Sequence, residues 1–136
     1  MRPPSRAVIA VLSLLGAVNL ARGSIHLFAP DGGLTAIAGL DLGQAREIAL
    51  FFIGAVGVGQ ITLGAVDLLV ATRFRMMALP LLLVHMGELA LGLFLFLLWR
   101  PLPHAVPGQY GAVFSFIAVG IITAWELLRG RADATS

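Results

Sequence analysis

Apolar residues fall along the chain in four long blocks, roughly Ala7 to Leu27, Ile48 to Val70, Met76 to Trp99 and Tyr110 to Leu128. Short stretches rich in arginine, proline and glycine separate them. Each block is near the ~20 residues that a helix needs to cross a bilayer. Strands of a membrane barrel would be about half as long and would alternate in polarity, which these blocks do not. The pattern predicts an all-α, four-transmembrane-helix bundle with antiparallel neighbours, forming a single integral membrane domain over residues 1–136. Arg2 and Arg6 ahead of the first block also suit a signal peptide cut after Ala17 or Ala21. The block continues through Ile25 and Leu27, beyond a usual signal core, so a first span is the expectation.

Polar residues within the blocks recur at helical spacing. Positions i, i+3, i+7 and i+10 share one face of a helix. They read Gly16, Asn19, Gly23 and His26 in the first block, and Gly57, Gln60, Gly64 and Asp67 in the second. The third gives His85, Glu88, Gly92 and Leu95; the fourth gives Gly111, Ser115, Ala118 and Trp125, with Thr123 and Glu126 beside the line. Lipid offers polar groups no partner, so small residues gather where backbones approach and polar residues bond across helices. Each stripe is therefore expected to face the bundle interior.

Counting from the span ends sorts these residues by depth. Glu88 and Gln60 come out central, His85 one turn nearer the inner side and Asn19 somewhat outward. The expected ligand or proton site is a buried cluster of Glu88, His85, Gln60 and Asn19. His26 and Arg22 fall at the outer mouth, and Asp67 and Glu126 at the inner mouth, within reach of Arg73, Arg75 or Arg129. An ionised carboxylate at mid-membrane costs roughly 2.5–3.5 kcal/mol on the mildest scale. Glu88 is thus expected to be protonated or paired with His85, which the i, i+3 spacing brings within contact. Amides and a histidine also serve as interhelical glue, but a central glutamate is a costly choice for that purpose.

Composition sharpens this picture. The chain has 136 residues, 59% hydrophobic and 12% charged, far from a soluble domain that must cover itself with charge. All nine basic residues are arginines and the net charge is only +2, without the clustering that nucleic acid would require. Arg2, Arg6, Arg73, Arg75, Arg129 and Arg131 fall on one side, against Arg46 and Arg100 on the other with Arg22 near it. The positive-inside rule then places both termini in the cytoplasm. "VATRFRM" reads as a tight inner turn followed by Pro80 at the start of the third helix. "RPLPHAVPGQYG" cannot continue a helix, and the loop from Phe28 to Ala45 holds the turn signal "APDGG". Asp31 and Asp41 are expected there as turn and cap residues, Asp41 pairing with Gln44.

Several chemistries lack their residues. Cysteine is absent, which removes disulfides and thiolate metal sites. Carboxylate-bridged metal bundles need two Glu-x-x-His pairs, whereas this chain has one pair in reversed order; His26 lies too far outward to join His85, and His104 is in a loop. No metal site or cofactor is implied, and a haem held by His85 alone has no signature in its favour. Ser13 and Ser115 lack a base at recognisable spacing, and the glycines are intrahelical rather than in a phosphate-binding loop.

"REIALFFIGAVGVGQITLGAVDLL", with Arg46 ahead of Gly54, Gly57 and Gly64, and the Pro-Asp-Gly-Gly loop before it, resemble the DoxX-like group of small four-helix bacterial membrane proteins. The resemblance covers the whole chain loosely and implies architecture rather than activity. Small four-helix multidrug exporters are similar in size but use a glutamate of the first helix, whereas Glu88 belongs to the third. The expectation is a multi-pass protein of a bacterial plasma membrane whose polar cluster binds a small or lipid-soluble ligand, as an accessory subunit of a membrane complex or a homo-oligomer. One alternative is a proton-coupled transporter acting as an oligomer with Glu88 as proton site. Another is a membrane-embedded isomerase or oxidoreductase using His85 and Glu88 as acid and base.

Overall fold

The computed structural model describes residues 3–101 and 105–134, with side chains as far as residue 130. Arg2 and His104 lie outside the described residues, as does the side chain of Arg131. Among the described residues four long helices follow one another: α1 (Arg6–Phe28), α2 (Arg46–Thr72), α3 (Ala78–Phe94) and α4 (Pro107–Ala134). Short 3-10 turns, Gly43–Ala45 and Arg75–Met77, lead into α2 and α3, and a π turn, Leu95–Trp99, extends α3. All four helices are long and apolar enough to cross a membrane.

Local chemistry accounts for the helix ends. Ser5 caps α1, its hydroxyl oxygen accepting the Val8 N–H at 3.3 Å. Pro80 falls in the first turn of α3, where a missing N–H costs nothing, and Pro107 opens α4 in the same way. Asp41 accepts the Gly43 N–H at 3.1 Å, closing a turn ahead of α2 rather than the reciprocal pair with Gln44 that the spacing suggests. The π turn closes with the Arg100 N–H donating to the Leu95 carbonyl, and Pro101 ends the helix there.

The connection between α1 and α2 is organised by Asp31. Its carboxylate accepts N–H groups from Ala36 at 2.6 Å, Gly33 at 3.0 Å and Thr35 at 3.2 Å, while Gly32 and Gly33 take the positive φ values (58° and 76°) that the turn requires. The bonds from Ala36 and then Gly33 hold the Asp31 carboxyl below the ordinary 3.8 of an aspartate. A lowered folded value means that the turn is supported above the unfolded pKa and loosens as pH falls through the folded one. Amide exchange at Gly33, Thr35 and Ala36 is accordingly expected to quicken in strong acid. In Asp31→Asn it is expected to be fast already at neutral pH; equal protection in both proteins would show that the turn does not depend on this carboxylate.

Packing is uneven. The most intimate contact is between α1 and α2, α3 and α4 form a second pair, and the two pairs meet less extensively. Glycines explain the first. A Cβ on Gly64 would lie 2.6 Å from the Gly16 carbonyl oxygen, and one on Gly57 would lie 2.7 Å from that of Gly23, so the two backbones touch at both crossings. This is how helices associate in lipid, through close packing of small residues. The buried apolar core is small, comprising Val8, Leu12, Val70, Ala71, Ala78, Leu82 and Val119. Large apolar side chains such as Phe51, Phe52, Val84, Leu91 and Phe114 stand exposed on α2, α3 and α4. A water-soluble bundle would hide these, whereas a bilayer solvates them.

The third and fourth stripes differ from expectation. On α3, Ala78, Leu82 and His85 are buried, but Glu88 and Leu95 are exposed and nothing packs near Gly92. On α4 the buried positions are Val119, Thr123 and Glu126, while Gly111 and Trp125 lie outside. The early half of α3 is therefore the half that enters the bundle.

Candidate functional site

The glycines that draw α1 against α2 also create the site. Gly16 has no side chain, and a Cβ there would come within 2.9 Å of the Asp67 Cβ. Asp67 therefore occupies the seam with no exposure to the exterior. Counting from the span end put this residue at the inner mouth, beside the arginines of the inner turn. Its side chain turns away from those arginines and points across to α3. Its Oδ1 lies 2.8 Å from Nε2 of His85, itself buried, and Nδ2 of Asn19 approaches Oδ2 at 3.5 Å.

His85 joins two carboxyl groups. While Nε2 meets Asp67, Nδ1 lies 3.3 Å from Oε2 of Glu88, one turn further along α3. Asp67 and Glu88 are opposite in character: the former is enclosed, and the latter has 58% of its side-chain surface exposed. The arrangement is thus a polar line from the interior to the apolar flank of the bundle, running Asn19, Asp67, His85, Glu88. Arg22 of α1 is exposed and lies within coulombic reach of Glu88.

Proton counting constrains the line. The hydrogen bond from Nε2 to Asp67 needs one proton between its two groups, and the 3.3 Å ion-pair contact of Nδ1 with Glu88 has room for a second, which makes two protons among three groups. These are either an imidazolium between two carboxylates or a neutral imidazole with one carboxylic acid. Both carry a net charge of −1, and they interconvert by moving one proton along one of the two contacts. Such an arrangement suits acid–base exchange better than passive cross-linking.

The remaining expected site residues take other positions. Gln60 is partly buried on α2, and its Oε1 is buried without a hydrogen-bond partner, so it is not joined to the line. His26 is a loop anchor: its Nδ1 lies 2.8 Å from the Gly32 carbonyl oxygen, which can only accept, so this nitrogen carries the proton. Glu126 does meet Arg129, at 3.0 Å, and also accepts the Ser5 N–H at 3.2 Å, clasping the start of α1 to the far part of α4. Arg129 in turn lies over the Trp125 ring, 5.1 Å from its centroid.

Among the described residues no cluster of three histidine, cysteine or acidic side chains is disposed to hold a metal ion. Both nitrogens of His85 face carboxyl oxygens, so ligation of a haem iron would require breaking one of those contacts. The spacing pairs Asp67 with the inner-turn arginines, whereas its partner is His85; the signal for its facing is present in the sequence, since it continues the Gly57, Gln60, Gly64 face that presses on α1. No protein-family model, curated protein or solved structure matches the chain.

Proposed function

We propose that this is a small integral membrane protein of a bacterial plasma membrane, with antiparallel neighbouring helices and both termini cytoplasmic, which binds a lipid-soluble ligand at Glu88 and His85. The arginine distribution supports the orientation. The pairing of Gly16 with Gly64 and Gly23 with Gly57 supports opposed directions for α1 and α2, and the Ser5–Glu126 clasp supports a shared side for the chain ends. The DoxX-like resemblance agrees with this architecture, and the protein acts as an accessory subunit of a larger membrane complex or as a homo-oligomer.

One observation carries the ligand reading. Glu88 is held through one oxygen by a buried imidazole, yet more than half of its side chain opens onto a surface that is otherwise apolar. A carboxyl group held in that position is expensive to leave facing hydrocarbon alone. A hydrogen-bonding head on an otherwise apolar molecule would relieve that cost, with Glu88 accepting its proton or hydrogen bond and His85 and Asp67 adjusting behind it. The same carboxyl–imidazole–carboxyl line favours, as a second reading, a proton-coupled transporter built from several copies.

Mass spectrometry of gently extracted protein tests the first reading. Wild type is expected to retain a small apolar molecule that is lost in Glu88→Leu, although the variant folds. If wild type carries nothing beyond bulk lipid and Glu88→Leu shows the same profile, the ligand site is refuted. Uptake of substrate with protons into vesicles, abolished in Glu88→Gln, would instead select the transporter.

A further inference from the structure

We propose that Asp67, His85 and Glu88 form a proton relay with a single entrance, at Glu88, which loads and unloads protons at the flank of the bundle without passing them along it. This rests on the reading of Glu88 and His85 as a working site and adds how the site is connected.

The relay step balances within the three groups. A proton on Glu88 Oε2 passes to Nδ1 of His85 as the Nε2 proton passes to Oδ1 of Asp67, across contacts of 3.3 and 2.8 Å. Glu88 ends as carboxylate, His85 as the opposite neutral tautomer and Asp67 as the acid. No oxidant, metal or further donor is needed. Reversal returns the proton to Glu88, where the exterior can remove it.

Beyond Asp67 and His85 the way is closed toward the Ser5 end. One helical turn after Asp67 come Val70 and Ala71; one and two turns before His85 come Leu82 and Ala78. Leu12 and Val8 of α1 and Val119 of α4 complete the layer, and all seven residues are buried in a single apolar cluster. Beyond this layer polar structure resumes, first at the buried hydroxyl of Thr123, one turn after Val119, and then in the clasp of Ser5, Glu126 and Arg129. A proton on Asp67 thus has apolar packing on the Ser5 side, His85 on α3, and on α1 the Asn19 amide nitrogen, 3.5 Å from Oδ2, which donates a hydrogen bond but has no free lone pair to take up a proton. The charged groups around the relay agree: α1 offers Arg22, on the Glu88 side; α2 offers Asp67; α3 offers Glu88. Glu126 and Arg129, the charged side chains of the described part of α4, are engaged with each other in the clasp.

Two measurements test the proposal. In vesicles loaded with a pH-reporting dye, with potassium and valinomycin clamping the potential, the full-length protein is expected to dissipate a pH gradient no faster than protein-free vesicles. Leu82→His, which sets a titratable imidazole in the apolar layer, is expected to leak, and adding Asp67→Asn to abolish that leak. A wild type that leaks, or a Leu82→His protein as tight as wild type, would overturn the single entrance.

Infrared spectroscopy after a pH jump supplies the second readout and does not depend on the layer variant folding. Wild type in nanodiscs is expected to show a protonated-carboxyl band that disappears in Asp67→Asn and responds more slowly in Glu88→Gln. An equally fast response in Glu88→Gln would overturn Glu88 as the entrance. The absence of any titrating carboxyl band tied to these residues would remove the underlying site itself, which a leak in wild type would not.

Discussion

Replacing His85 with leucine is expected to destabilise the protein by about 3–5 kcal/mol, because it leaves a fully enclosed carboxyl group without its principal partner. Asn19, at 3.5 Å from Oδ2, cannot compensate, since a neutral amide at that distance is a weak donor. The double variant Asp67→Leu/His85→Leu is expected to recover most of the loss, because removing both partners removes the uncompensated group as well. Reversible unfolding in mixed micelles would measure both. A single variant as stable as wild type would show that Asp67 is not enclosed as described, and a double variant as unstable as the single one would point to lost packing. Glu88→Leu is expected to behave differently. It removes an exposed carboxyl from an apolar surface and should leave stability unchanged or improved, so the value of Glu88 has to be sought in ligand retention.

The second large effect is expected at the glycine seam. In Gly64→Ala the new methyl group would sit 2.6 Å from the Gly16 carbonyl oxygen and 3.0 Å from the Leu20 backbone nitrogen, neither of which can swing aside. Alanine is favoured over glycine in a helix by about 1 kcal/mol, but overpacking against backbone costs typically 1–3 kcal/mol. The seam should therefore part, and Asp67 with it. Gly59→Ala and Gly87→Ala serve as controls: nothing lies within 4 Å of either added Cβ, so the helix preference stands alone and both proteins should be as stable as wild type or more so. If all three substitutions behaved alike, backbone contact at the seam would be disproved.

Much of this architecture could be read from the residues. The four spans follow from block length and polarity, and the faces of α1 and α2 follow from glycines repeated at helical spacing, which is how a chain in lipid records where backbones meet. Partners were harder to read. Counting from the ends of apolar blocks gives a height along the helix but no facing, so it sets Asp67 beside the inner arginines, whereas the residue continues the face that carries Gly64 and meets His85. For Glu88 the reverse holds. It is central along its helix, but how deeply a residue is covered depends on which neighbours accompany that half of the helix, and sequence periodicity carries no such information. The fourth stripe illustrates the same limit: Thr123 and Glu126 were noticed beside the line, yet nothing in the spacing revealed that they, rather than Gly111 and Trp125, face inward.

The buried pair of Asp67 and His85 links residues 18 positions apart in the chain, on successive helices. A ribosome adds about 5–20 residues per second, so the aspartate is made roughly one to four seconds before the histidine that will meet it. During that interval a newly made acid has no imidazole to bond, and the nascent hairpin of α1 and α2 must either wait in the aqueous space of the insertion machinery or enter the lipid with that carboxyl protonated. The order of synthesis therefore makes α3 the segment that ends this interval, since its arrival both gives the acid its partner and completes the site.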